Sequence, residues 1–225
     1  MGILDGRTAV ISGAGTGLGR AAALAFAREG ANVALLGRRV GKLEETAALI
    51  GQHGTGKALV IPADISVEAQ VSKAVQTAAA AFGKIDILIN NAAIFEPGLV
   101  FELSSEEWTQ QIAVNLTGPF LLTKAVLPIM RNSHYGRIIN ITSSLASNGA
   151  GGYAAYSAAK AGLESLTRTT ADEENEHGIL VNLFNPGTLR TEMHATGQDP
   201  ATVTPELIRL ASLPPGGVTG TMVSV

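Results

Sequence analysis

The sequence predicts an α/β fold: one doubly wound parallel sheet of seven strands with helices on both faces, spanning residues 1–225 as a single domain. Three observations carry this. Short β-rich runs alternate with longer helix-like stretches from end to end, the pattern of βαβ units. Several of the short runs are apolar at every position, as strands buried on both faces require. The first of them passes through a glycine-rich turn into an alanine-rich helix, the start of a doubly wound sheet.

The expected strands are Thr8 to Ser12, Val33 to Leu36, Ala58 to Ile61, Ile85 to Asn90, Arg137 to Ile141, Val181 to Phe184 and Met222 to Val225. The expected helices run from Leu18 to Glu29, Val40 to Gln52, Val67 to Phe82, Glu106 to Arg131, Ala154 to Glu176 and Pro205 to Leu213. Gly30, Gly83 and Gly178 fall where helix ends call for a residue that tolerates positive φ. Gly149-Ala150-Gly151-Gly152 reads as a loop inside the domain, and Asp172-Glu173-Glu174-Asn175-Glu176 as a solvated helix face.

Composition excludes several function classes. With 46% hydrophobic and 16% charged residues the chain can build a large core, and a formal charge of −3 provides no cationic field for nucleic acid or anionic lipid. There are no cysteines, hence no disulfide and no thiolate nucleophile. His53, His134, His177 and His194 have no metal-ligand spacing, so no metal is expected. The start has neither a basic apolar leader nor a myristoylation pattern, and no apolar run reads as long enough to span a bilayer. The expectation is a cytosolic protein whose partners are small molecules.

The turn after the first strand is Gly13-Ala14-Gly15-Thr16-Gly17-Leu18-Gly19. Residues without Cβ let backbone approach a pyrophosphate, and the following helix N-terminus presents unpaired N–H groups and a positive dipole end. Gly13, Gly17 and Gly19 match GxxxGxG, while Gly17, Gly19 and Ala22 also satisfy GxGxxA; either register predicts a dinucleotide cradle. An NAD site places a carboxylate at the end of strand two, for the ribose 2′-hydroxyl. Leu36-Gly37-Arg38-Arg39 offers two guanidinium groups instead, which favours a 2′-phosphate and NADP(H), with NAD(H) the lesser possibility; Arg38 is the better candidate.

Tyr156-Ser157-Ala158-Ala159-Lys160 sets a phenol and an ammonium one helical turn apart. A neighbouring cation favours phenolate, bringing tyrosine nearer to proton exchange with a carbonyl or alcohol. With the glycine turn, this pair makes nearly the whole chain resemble the short-chain dehydrogenase/reductase family, a Rossmann fold, and in particular its 3-oxoacyl-acyl-carrier-protein reductases and carbonyl reductases. The family's adenine contact matches Asp64, followed by Ile65; its Asn-Asn-Ala-Gly stretch matches Asn90-Asn91-Ala92-Ala93, and its helix asparagine matches Asn115. Its serine, about a dozen residues before the tyrosine, matches Ser143 rather than Ser144. Its Pro-Gly matches Pro186-Gly187, with Thr188 and Thr191 in the stretch near the nicotinamide.

The resemblance implies that Tyr156 transfers the proton, that Ser143 holds the substrate oxygen, and that Lys160 lowers the Tyr156 pKa and binds the nicotinamide ribose. Asn115 would hold a water in a relay from Lys160. It also implies a homodimer or homotetramer paired through the two long helices, a tail beyond strand seven being unavailable for assembly. The alternative is a catalytically silent NADP(H)-binding regulator, against which the full set of Ser143, Tyr156 and Lys160 speaks. Three departures stand out. Ser12 replaces a threonine, a mild change; Ala93 replaces a glycine, where its methyl would crowd the site or require another backbone angle. The stretch from Met193 to Pro205 is short for a substrate lid and predicts an open pocket.

Overall fold

The computed structural model describes residues 2–53 and 56–225, without the side chain of His53. Its strands are β1 (Thr8–Ser12), β2 (Asn32–Gly37), β3 (Ala58–Pro62), β4 (Ile87–Asn90), β5 (Gly136–Ile141), β6 (Ile179–Asn185) and β7 (Met222–Ser224). They pair in parallel in the order β3-β2-β1-β4-β5-β6-β7. The chain winds outward from β1 to one edge, returns, and winds outward from β4 to the other. The reversal opens a crevice at the carboxyl ends of β1 and β4, where such sheets take their ligands.

Each strand divides its apolar residues between two layers, because successive side chains alternate across a sheet. Ala9, Ile11, Val33, Leu35, Ile87 and Ile89 enter one core; Val10, Ala34, Leu36 and Leu88 enter the other. The first core is covered by α1 (Gly17–Arg28), α2 (Val40–His53) and α8 (Thr204–Ala211). The second is covered by α3 (Glu68–Phe82), α5 (Gly118–Ser133) and α7 (Ala154–Glu174), with α4 (Ser105–Ile112) and α6 (Leu145–Asn148) beside them. Small side chains seat α1 closely on the sheet: Ala22, Ala23 and Ala27 are fully buried around Phe26.

Most expected elements lie within a residue or two of their predicted bounds, and four expectations need correction. The helix expected from Glu106 to Arg131 is continuous but passes through a π-helical turn, Ala113–Thr117, between α4 and α5. Because of that continuity, Ser105–Ser133 is long and apolar enough to cross a membrane by length and composition, contrary to the expectation that no run is. Its apolar side is nonetheless used within the fold, with Val114, Leu121, Leu122, Val126 and Met130 packed into the second core. The short α6 was not expected. Finally, Glu174 is not solvated: its buried carboxylate accepts two bonds from Arg131, 2.8 Å from Nε and 2.6 Å from Nη2, joining α7 to α5.

Candidate active site

The residues expected to bind a dinucleotide come from loops at the carboxyl edge of five different strands. After β1, Gly13 and Gly17 have φ of +68° and +53°, values that glycine adopts without strain. A Cβ on Gly13 would lie 2.8 Å from Asn91 Nδ2, and one on Gly19 would lie 2.2 Å from the Gly13 carbonyl oxygen. A Cβ on Gly15 would lie 2.9 Å from that of Lys42. Thr16, which precedes α1, places no side-chain cap on the helix, so the first-turn N–H groups point into the crevice free of a protein side-chain acceptor. Tight backbone, no Cβ and an uncapped positive helix end fit a pyrophosphate. Leu18 turns its side chain into the core, leaving its backbone to the loop.

Ser12 ties this cradle to the next loop. Its hydroxyl accepts from the backbone N–H of Asn91 (3.0 Å) and of Ala92 (3.1 Å), and donates to Ile89 O at 3.3 Å. Asn91 Nδ2 in turn donates to Ser12 O at 2.9 Å. A serine hydroxyl therefore suffices for this tie. Ala93 requires no unusual backbone: His134 is the one non-glycine residue with positive φ among those described. The Ala93 methyl is accommodated in a half-buried position.

At the adenosine end, Arg38 is more than half exposed after β2, its Nη1 3.8 Å from Asp64 Oδ2. Burial works to raise the Asp64 pKa, but the Ser66 hydroxyl and N–H bonded to its carboxylate, with the Arg38 charge, outweigh it and hold the group below its usual range. Ile65 is buried against Gly118 of α5. Arg39 is already engaged: its Nη2 donates to Glu192 Oε2 at 2.7 Å and to Thr16 Oγ1 at 3.2 Å, bridging the cradle to the stretch between β6 and α8. That stretch folds back on itself after β6, past buried Pro186 and exposed Gly187 and Thr188, with Gln198 N–H donating to Thr188 O. Thr191 stands over Gly17, where a Cβ would lie 3.1 Å from its Cγ2. The segment just before Met193 is thus the part that meets the cradle.

Ser143, Tyr156 and Lys160 converge beside this crevice. Ser143 follows β5; its hydroxyl accepts from the Leu145 N–H at 3.3 Å and lies near enough to the Tyr156 phenol to influence its acidity. Lys160, one turn further along α7, is buried; its Nζ donates to Ile141 O at 2.7 Å and lies 5.6 Å from the Tyr156 ring centroid. Burial pushes the Tyr156 phenol above its ordinary value, an effect the neighbouring Ser143 hydroxyl partly offsets. The dominant influence therefore opposes the lowering expected from Lys160. Burial also pushes the Lys160 ammonium down, from 10.5 to about 8.

That depression has a stability consequence. Between about pH 8 and pH 10.5 the unfolded chain holds a proton on Lys160 that the folded chain has released, so this group makes folding more favourable as pH rises through that window. The full effect is about 3 kcal/mol. In denaturant titrations the wild type should gain on Lys160→Met between pH 7 and pH 10; a pH-independent difference would contradict the assignment.

Asn115 sits fully buried in the π-helical turn. Its side chain meets both backbone groups of Ile94: Oδ1 accepts from the N–H at 2.9 Å and Nδ2 donates to the carbonyl at 2.8 Å. The side chain thus fixes the loop after β4. Two site neighbours escaped the sequence reading, Phe95 and Tyr153. Their rings stack at 4.5 Å with planes 6° apart, and Phe95 meets the Tyr156 ring edge-on at 5.8 Å. Tyr153 and Tyr156 are three residues apart, a spacing that was available as a signal; Phe95 is distant in sequence and had none.

Comparison with known proteins agrees with this geometry. The short chain dehydrogenase family model matches residues 7–201. The chain is 37% identical over 189 residues to the 3-oxoacyl-[acyl-carrier-protein] reductase FabG of Escherichia coli, covering 84% of this chain and 76% of that enzyme. It is 40% identical over 193 residues to the (2S)-[(R)-hydroxy(phenyl)methyl]succinyl-CoA dehydrogenase subunit BbsD of Thauera aromatica, covering 86% and 77%. Among solved structures, levodione reductase superposes with a TM-score of 0.92 at 29% identity, over 99% of this chain and 96% of the other. A putative short-chain dehydrogenase/reductase from Burkholderia xenovorans also gives 0.92, at 31% identity over 100% and 96%. By sequence and by fold, the chain belongs to the short-chain dehydrogenase family of oxidoreductases, which work on carbonyl and alcohol groups with a nicotinamide dinucleotide.

Proposed function

We propose that this protein interconverts a carbonyl and an alcohol with NADP(H), Tyr156 serving as the general acid/base. The observation that carries the proposal is the placement of Ser143, Tyr156 and Lys160 together beside a glycine cradle in one crevice of one domain. The dinucleotide would supply or accept the hydride; the chain positions the reacting carbon and manages the proton. Ser143 holds the substrate oxygen by donating its hydroxyl proton in a hydrogen bond, and Tyr156 gives its phenolic proton to that oxygen during reduction and removes it during oxidation. Lys160, pinned by Ile141 O, is aimed by α7 toward the same side as Tyr156 and would hold the nicotinamide ribose hydroxyls. Asn115 supports the site by fixing Ile94, and it would hold the water of a relay leading from Lys160.

Cofactor preference rests on the end of β2. Arg39 is held by Glu192 and Thr16, whereas Arg38 has only a 3.8 Å approach to Asp64, leaving it the freer cation for a 2′-phosphate. Arg38→Ala should weaken NADPH binding by roughly ten- to a hundredfold while changing NADH binding little. Equal loss for both dinucleotides, measured by fluorescence titration, would remove the preference for NADP(H).

Substrates are taken to be small carbonyl compounds free of nucleic acid or membrane, met in the cytosol, with 3-oxoacyl thioesters included because one relative is named for them. Association into dimers or tetramers through α5 and α7 is supported by the apolar cleft between them, where Phe120, Leu127, Pro128 and Leu166 face outward together. The functional test is NADPH consumption across ketones, aldehydes and 3-oxoacyl thioesters. Turnover on any class supports the reading, and inactivity on all of them in both reaction directions would count against it.

A further inference from the structure

We propose that Phe95 is a positioning residue that orients the Tyr156 phenol, itself aimed by Asn115 through Ile94. The inference rests on the reading of Tyr156 as the acid/base.

The loop leaving β4 carries its own instructions for where Phe95 goes. Asn115 takes both the N–H and the carbonyl of Ile94, a two-point clamp from a fully buried residue, so the backbone just before Phe95 cannot pivot. Beyond Phe95 the loop is pinned again, since Gly98 N–H donates to Gly152 O at 3.1 Å and Gly98 forms a parallel bridge with Tyr153. Between these two attachments the Phe95 ring lies flat on Tyr153 and edge-on to Tyr156. It is the residue whose ring touches both tyrosines at the start of α7.

A tyrosine oxygen moves with two side-chain torsions, and the nearby Ser143 hydroxyl acts only at the oxygen end. The edge of Phe95 restrains the ring plane, and edge-to-face aromatic pairs have a preferred geometry rather than mere contact. Proton transfer needs the phenol oxygen within hydrogen-bond reach of a defined substrate atom, so ring orientation converts directly into rate. The same ring packs edge-on against the Tyr156 ring, and burial is the largest influence on the phenol's acidity. A ring that only filled space would contribute to folding and leave these properties alone.

The test compares the full-length wild type with Phe95→Leu, Phe95→Tyr and Tyr156→Phe, using the best carbonyl substrate of the panel and NADPH. Phe95→Leu should lower kcat roughly ten- to a hundredfold while KM moves by less than about threefold and NADPH affinity is unchanged. The alkaline limb of its kcat profile should move to lower pH, because a better hydrated phenol ionises more readily. Phe95→Tyr, which keeps the ring, should restore both. Should Phe95→Leu lower the thermal midpoint markedly, Phe95→Met carries the same comparison with less lost volume. An unchanged kcat and pH limb, a change in KM alone, or a Phe95→Tyr variant as impaired as Phe95→Leu would overturn the inference. If Tyr156→Phe is inactive while Phe95→Leu is normal, the inference alone fails. Turnover persisting in Tyr156→Phe would overturn the acid/base reading and this inference with it.

Discussion

Tyr156→Phe is expected to lower turnover by about 10²- to 10⁴-fold, the range over which a positioned general acid/base contributes. The substitution removes one oxygen and keeps the ring, so the edge contact with Phe95 and the seat on α7 survive. What disappears is the proton that the substrate oxygen must receive and the phenol oxygen beside the Ser143 hydroxyl. One net hydrogen bond is worth about 1 kcal/mol, so the fold should be little affected. NADPH affinity should also be retained, because the glycine cradle, Asp64 and Arg38 are untouched. Turnover and cofactor binding measured on the same preparation separate the two effects. A variant that kept more than about a tenth of its activity would rule out the phenol as the proton donor.

The second large effect is expected at Gly19, where alanine should reduce dinucleotide affinity by at least about a hundredfold, since misplacing a binding loop by an ångström has effects of that size. Its Cβ would sit 2.2 Å from the Gly13 carbonyl oxygen and 2.5 Å from Asn91 Nδ2. Neither neighbour can yield cheaply. The oxygen belongs to the cradle's own backbone, and Asn91 is tied to Ser12 O. The loop must therefore open, withdrawing the N-terminus of α1 from the phosphates it would hold. Gly51 in α2 makes the contrast, since a Cβ there meets nothing within 4 Å. Gly51→Ala should leave binding unchanged and stabilise the helix by roughly 0.5–1 kcal/mol. Isothermal titration with NADPH and thermal melts of both variants check the pair; equal behaviour would mean that the cradle's tight packing does not govern binding.

The elements and much of the site were legible because their signals are local. Apolar runs such as Ile87 to Ile89 announce strands buried on both faces, and the structure divides those residues between two cores as alternation requires. Gly83 and Gly178 end their helical segments with φ of +78° and +73°, as their positions suggested. Tyr156 and Lys160 lie one turn apart because a helix puts them there. Each of these features depends on neighbours within a few positions along the chain.

Other properties belong to contacts that no local pattern encodes. Arg39 meets Glu192 across 153 positions, so which of two adjacent arginines is free depends on where the stretch between β6 and α8 returns. Asn115 commits its amide to Ile94, a pairing set by the π-helical turn and the course of the loop after β4. The acidic run near the end of α7 read as solvated until Arg131 of α5 brought Glu174 into a buried pair. The Tyr156 acidity, too, followed burial more than the cation one turn away. By itself, then, the sequence determined the sheet, the cradle and the Tyr156–Lys160 spacing, because backbone periodicity and glycine's conformational range act over a few residues. The tertiary structure alone decided which charges are paired, which polar groups are spent and how the Tyr156 ring is held, because packing and desolvation depend on residues brought together from far along the chain.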